Sequence, residues 1–236
     1  MKRFALSILT ILTMLSYNHT LAQSLRLGVG AMPVPYVLRV QGLGSGMAVS
    51  TADDFTITLL AEADITPVLT LGMGIQPRAG RSFTLQFDTD GRHIGWWNTQ
   101  HAQAPHYQTA FAISEGVEIP LSLRYRLSGN ALTPFIRAEY CLAMLDGDGY
   151  AVRYLTKGGD ISVISDVEAA RTSSTVHAMS VTIGLETRAN PWFSFVVDLG
   201  WRHTFTDYVN EDFMRVRELD TITGRLTLMA TVVEGW

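Results

Sequence analysis

The stretch Gly116–Phe135 reads GVEIPLSLRYRLSGNALTPF and places Glu118, Arg124 and Arg126 at positions of one parity. Val117, Ile119, Leu121, Leu123, Tyr125 and Leu127 take the other. The same spacing sets Arg26, Glu62, Arg137, Glu139, Glu186, Arg188, Asp198 and Arg202 apart from apolar neighbours elsewhere in the chain. That makes six positive and five negative charges on one class of position. The chemistry open to such a set is mutual ion pairing. On an enclosed face each charge needs a partner, because an unpaired enclosed charge is costly. Arginine suits that task, since its planar fork meets carboxylates in a fixed geometry.

Other reactive types are sparse. Asp146-Gly147-Asp148-Gly149 has the look of a calcium loop, but the distal acidic ligands are missing and Asp-Gly pairs are first of all turn formers. His93, His101 and His106 fall in one long connection, where scattered histidines are solvated rather than metal-bound. His203, in Trp201–Phe205, has Thr204 as its neighbour, and no Ser is spaced on that stretch to act as a nucleophile. Cys141 stands alone, so no internal disulfide forms, and its polar-face parity makes it small filler. No metal, cofactor or catalytic set is expected. Trp96 and Trp97, in the segment RSFTLQFDTDGRHIGWW, are candidates for a loop binding surface. The alternative is that they pack on neighbouring loops or dip into lipid.

The elements that carry these residues are strands. Eight period-2 runs occur, around Ser24–Ala31, Asp54–Ala63, Val68–Gln76, Gly116–Ser128, Phe135–Leu145, Thr175–Arg188, Phe193–His203 and Thr223–Trp236. Each has about the length of a tilted strand crossing a bilayer, roughly 9–11 residues. The links Asp64–Pro67, Ser128–Pro134 (with Gly129-Asn130) and Ala189–Trp192 are short. Met32–Asp53, Pro77–Glu115, Asp146–Ser174 and Thr204–Ile222 are long, and short and long alternate strictly. A membrane barrel has that asymmetry between its two rims. Within Pro77–Glu115, a hairpin is expected with its turn at Asp88–Gly91. Pro120 lies mid-run and predicts a local bulge, since proline removes a ladder donor.

Two all-β readings compete: a soluble calyx with a dry inside, and a membrane barrel with a dry outside. Gly28, Gly30, Gly72, Gly74, Gly184 and Gly200 share the polar parity, and small residues belong on the crowded concave side. Beyond the first 22 residues there is one Lys, Lys157, against fifteen Arg, unlike a soluble exterior. The polar charges are near balance. The expected fold is therefore an eight-stranded antiparallel transmembrane up-and-down β-barrel with Glu118, Arg124 and Arg126 turned into the lumen. Arg124, Arg126 and Arg137 are expected to face Glu118 and Glu139. Trp192, Tyr125 and Trp236 fall where interface anchors belong.

Met1-Lys2-Arg3, the apolar run Phe4–Leu15 and the small residue Ala22 predict a secretory signal peptide over residues 1–22, with the barrel domain over 23–236. The apolar run is too short for a helical span. A net charge of −4, or −6 without Lys2 and Arg3, gives no reason to expect nucleic acid.

The segments VEIPLSLRYRL and TPFIRAEYCLAML, joined by a short turn, resemble the PorT-like outer-membrane β-barrel family of Bacteroidetes-type bacteria. Glu118–Leu121 and Pro134–Phe135 are the specific stretches; WFSFVVDLGWRHTFTDY is similar to the family's penultimate strand, and Trp236 to its terminal aromatic. RAEYC stands where many members have Ala-Gly-Pro. The resemblance implies residence in the outer membrane, contact with its lipid and insertion by barrel-assembly machinery. It implies no single activity. The function expected is non-enzymatic, structural or binding through the loops, within an envelope or secretion complex. A small lipid-modifying hydrolase and a narrow pore are the alternatives.

Overall fold

The computed structural model describes residues 24–41, 47–88, 93–96, 106–127, 132–146, 149–156, 164–211 and 214–234. The expected signal peptide, His101, Trp97, the Gly129-Asn130 turn and Trp236 lie outside them. Fifteen strands are described: β1 (Ser24–Gln41), β2 (Met47–Asp64), β3 (Leu69–Arg78), β4 (Arg81–Asp88), β5 (His93–Trp96), β6 (His106–Ile113), β7 (Gly116–Arg126), β8 (Leu132–Leu145), β9 (Tyr150–Thr156), β10 (Ile164–Arg171), β11 (Thr175–Arg188), β12 (Phe193–Thr204), β13 (Val209–Glu211), β14 (Met214–Glu218) and β15 (Thr221–Glu234).

Eight of them close a ring in the order β1-β2-β3-β7-β8-β11-β12-β15, with β15 paired back to β1 and every neighbour antiparallel. Closure leaves no edge in the wall, which is what a strand structure needs in lipid, where no water can satisfy a free N–H or C=O. Alternation sets the faces. On β11 the exposed Met179, Val181, Ile183 and Leu185 are interleaved with buried Ser180 and Thr182, Gly184 and buried Glu186. The same inversion holds round the ring: Ile222 is 68% exposed, whereas Thr58 is completely buried. The barrel is dry outside and charged inside.

Local chemistry makes the short turns. Thr66 Oγ1 accepts the N–H of Leu69 at 3.0 Å. Asn190 Oδ1 accepts the N–H groups of Trp192 and Phe193, both at 2.9 Å, an Asx arrangement ahead of β12.

Three expectations are corrected. The strands outrun the alternating runs: β1 and β2 stay paired to Gln41↔Met47, through residues read as a loop, because a hairpin ladder continues past the apolar belt without needing alternation. The other long connections also hold strands. β4, β6, β9 and β10 prolong β3, β7, β8 and β11 as a second sheet, with β5 on its edge, so the wall continues beyond the belt. The hairpin foreseen in Pro77–Glu115 is there, with Leu85 opposite Trp96. Finally, Pro120 makes no bulge. The β3–β7 register is the same at Met73↔Leu121 and at Gln76↔Glu118, and the rungs at Gly74 and Ile75 are missing between them. Pro120 donates nothing there, and Gly74 leaves room for its ring: an added Cβ would come within 2.9 Å of Pro120 Cγ.

Inside, a small apolar cluster of Phe135, Val196 and Met229 fills the space between charges. Phe135 lies opposite Gly184, where a Cβ would collide with its ring. A Gly184→Val barrel is therefore expected to lose about 1–3 kcal/mol through overpacking. The check is the urea midpoint of the detergent-folded barrel, followed by the gel shift between unheated and boiled protein; an unchanged midpoint would refute the packing role of Gly184.

Candidate functional site

Among the described residues, the lumen holds seven arginines and seven carboxylates in ion pairs: Arg26, Arg78, Arg124, Arg126, Arg137, Arg202 and Arg225 with Glu62, Asp64, Glu118, Glu139, Glu186, Asp198 and Glu218. The formal charges cancel.

The lower tier, nearer the short turns, centres on Glu62. Its carboxylate takes Arg124 at 2.7 Å, Arg26 at 3.0 Å and Arg137 at 3.3 Å. Glu186 binds Arg26, Arg124 at 3.3 Å and Arg126 at 3.4 Å. Asp64 accepts Arg126 at 2.9 Å, Arg26 at 3.2 Å and the Thr70 hydroxyl at 2.6 Å. Arg137 continues to Asp198 at 2.6 Å, and Arg225 bridges Asp198 at 3.5 Å and Glu139 at 3.1 Å. Arg124 and Arg137 are directly opposite on β7 and β8, a like-charge pair that would destabilise a bare ladder. Glu62 sits between them, and both guanidiniums stand 5.2 Å from the Phe135 ring centroid.

The upper tier lies nearer the long connections. Arg202 grips Glu118 with two nitrogens, at 2.7 and 2.9 Å, the strong forked form of the pair. Gln76 donates to the same carboxylate at 2.9 Å, and Arg78 reaches it at 3.3 Å. Glu218, just past which β15 begins, takes Arg78 at 3.2 Å and the Tyr208 hydroxyl at 2.9 Å. Tyr208 is fully buried and also bonds Arg78. Tyr208 and Glu218, from the last long connection, are thus tied to Arg78 of β3, and Glu218 also lies 3.7 Å from Arg202 of β12.

Ten of the eleven charges singled out in the sequence lie in this network. Arg188 does not; it is exposed at the end of β11, where the wall stops enclosing side chains. The expected pairing of Arg124, Arg126 and Arg137 with Glu118 and Glu139 is also replaced. They turn to Glu62, Asp64, Glu186 and Asp198, because strand tilt and stagger, not sequence proximity, decide which side chains share a level. Asp64, Arg78, Arg225, Glu218 and Tyr208 were missed. Asp64 and Arg225 carried the right parity signal; Glu218 and Tyr208 lie in a connection whose inward turn had no pattern.

Outside the lumen, His203 Nδ1 lies 2.6 Å from Asp220 Oδ1, the carboxylate accepting, on the outward face of β12, stacked at 5.6 Å on Trp201 and edge-on at 4.8 Å to Phe205. The position two further along that face is Phe205, so a hydroxyl nucleophile is not on hand there, and Thr204 points inward. Among the described residues no group of His, Cys, Asp and Glu could hold a metal ion. Trp96 lies in β5 of the second sheet.

No protein-family model matches the chain, and no curated protein matches it. Solved structures do. Neisserial surface protein A is 10% identical with a TM-score of 0.43, covering 87% of this chain and 96% of its own. The outer membrane protein OprG from Pseudomonas aeruginosa is 10% identical with a TM-score of 0.45, covering 89% and 96%. A major outer membrane protein from Thermus thermophilus is 14% identical with a TM-score of 0.44, covering 88% and 99%. The closed ring, the dry exterior and the charged interior make this chain an eight-stranded outer-membrane-type β-barrel in its own right.

Arg137→Ala leaves parts of Glu62 and Asp198 without their partner, and should cost about 3 kcal/mol. Arg188→Ala should cost nothing measurable. Equilibrium unfolding of both variants in detergent micelles separates them; equal midpoints would remove the network from the account of stability.

Proposed function

We propose that the chain is a non-enzymatic outer-membrane barrel whose lumen is plugged by its own charges, and which acts as a structural or binding element through its long-loop end. The observation that carries this is the charge balance of the lumen, in which seven arginines pair with seven carboxylates among the described residues. An eight-stranded barrel has an interior just wide enough for side chains to fill, and the buried arginine–carboxylate pairs that span this one support a filled bore. What projects is the second sheet, with the hairpin that bears Trp96 and leads to Trp97. That sheet is the natural contact for an envelope protein. Residues 1–22 serve as the signal peptide, residues 23–236 as the barrel domain, and insertion uses barrel-assembly machinery. The EIPL motif and Pro134-Phe135, which fall on the paired strands β7 and β8, support a place near the PorT-like barrels.

His203 and Asp220 give a second reading some footing, since a lipid hydrolase on the outer leaflet would need such a pair. The neighbouring aromatics, in place of a hydroxyl, favour an interfacial anchor instead.

In planar bilayers the purified barrel should show no steady single-channel steps; reproducible steps would end the plugged-lumen reading. Orientation has a separate check. On whole cells, Gly95→Cys should react with an impermeant thiol reagent and Asn190→Cys should not, and the reverse would invert the topology.

A further inference from the structure

Above the apolar belt the outward face of the wall changes character. Arg215 and Arg217 alternate along β14 with Val216 and Glu218, which are buried and face in. Their side chains are 55% and 43% exposed. Across the ladder, Arg217 lies directly opposite Arg39 of β1, which is exposed as well. Like charges in that relation cost stability unless an anion lies between them. Asp207 reaches Arg215 at 2.9 Å and Arg217 at 3.8 Å, so one carboxylate serves an excess of guanidinium.

The surroundings say which anion would suit. Arg217 Nη2 reaches the Thr204 carbonyl at 3.5 Å, which puts it against the end of β12. There the outward face carries Trp201, His203 and Phe205 in mutual ring contact, with His203 held by Asp220. Going up this wall, the order is aliphatic belt, aromatic step, cations. A phosphate-bearing lipid has the matching order of acyl chain, interface and anionic headgroup.

We propose that this face seats the phosphate of an outer-leaflet lipid, with Arg39 and Arg217 gripping its oxygens and Trp201 and Phe205 bracing the upper acyl chain. The inference rests on the outer-membrane reading above. A phosphate offers oxygens enough for two guanidiniums at once, and arginine forks match it bidentately. Arg215 adds charge from the next outward position.

The test uses the purified barrel in neutral detergent and native mass spectrometry. Phosphatidic acid, diacylglycerol and inorganic phosphate are the probes. Phosphatidic acid should stay bound, diacylglycerol should not, and excess inorganic phosphate should not displace the lipid. A double Arg39→Ala, Arg217→Ala variant should retain roughly tenfold less phosphatidic acid. Arg217→Lys should restore part of it, and Arg188→Ala, at the opposite rim, should leave it unchanged. Only protein that keeps its unboiled gel position is scored. Equal retention by the double variant, or equal retention of diacylglycerol, overturns the proposal; displacement by inorganic phosphate shows a free-phosphate site and overturns the lipid assignment. A wild-type barrel that inserts into vesicles but binds no phosphatidic acid sinks this proposal alone. One that stays in water without detergent sinks the membrane reading beneath it.

Discussion

Glu62 is the interaction on which the interior turns. One carboxylate, 2% exposed, is shared by arginines from β1, β7 and β8. An uncompensated charge enclosed by the wall is costly, so the interior charges pair locally as well as cancelling in sum. Seven of each sign among the described residues, in two tiers, is the result. The tiers differ in use. The lower ties strand to strand across the bore, and the upper ties the bore to the last long connection through Tyr208 and Glu218.

The same constraint explains the inside-out composition. A soluble domain gathers apolar side chains at its centre; here Phe135, Val196 and Met229 are a minor filler among charges. The apolar surface faces outward because the solvent there is hydrocarbon, and the ladder, closed on itself, leaves no open strand edge to that solvent. The polar parity and the glycines follow. Gly28 and Gly184 stand where Met229 and Phe135 need their volume.

Much of this was legible in the sequence, for a reason visible in β11 and β12. A strand that is wet on one side only must alternate, and the alternation names the face of every residue from Met179 to Leu185 without knowledge of its neighbours. The strictly alternating loop lengths added the topology. What the pattern could not convey was which charges meet. Arg124 is two residues from Arg126 and six from Glu118, yet its partners are Glu62 and Glu186, brought level by tilt and stagger. Nor could it mark the strands beyond the belt, where the paired stretches of β1 and β2 out to Gln41 and Met47 lack the period-2 pattern of the belt. Pro120 misled because a bulge is the common answer to a missing donor, whereas here two absent rungs and a facing glycine suffice.

The pairing of β1 with β15 has a consequence for biogenesis. Arg26 finds Glu186 across 160 positions of sequence, and Arg225, on the last strand, is needed by Glu139 and Asp198. Contacts of that separation form late and slowly. A nascent sheet lacking β15 would therefore carry an open seam and an electrically incomplete interior together. Both defects are cured by a single event, the arrival of the C-terminal strand at the N-terminal one. Quality control of this protein can thus be all-or-none: a truncated chain is marked by unpaired backbone and unpaired charge at once.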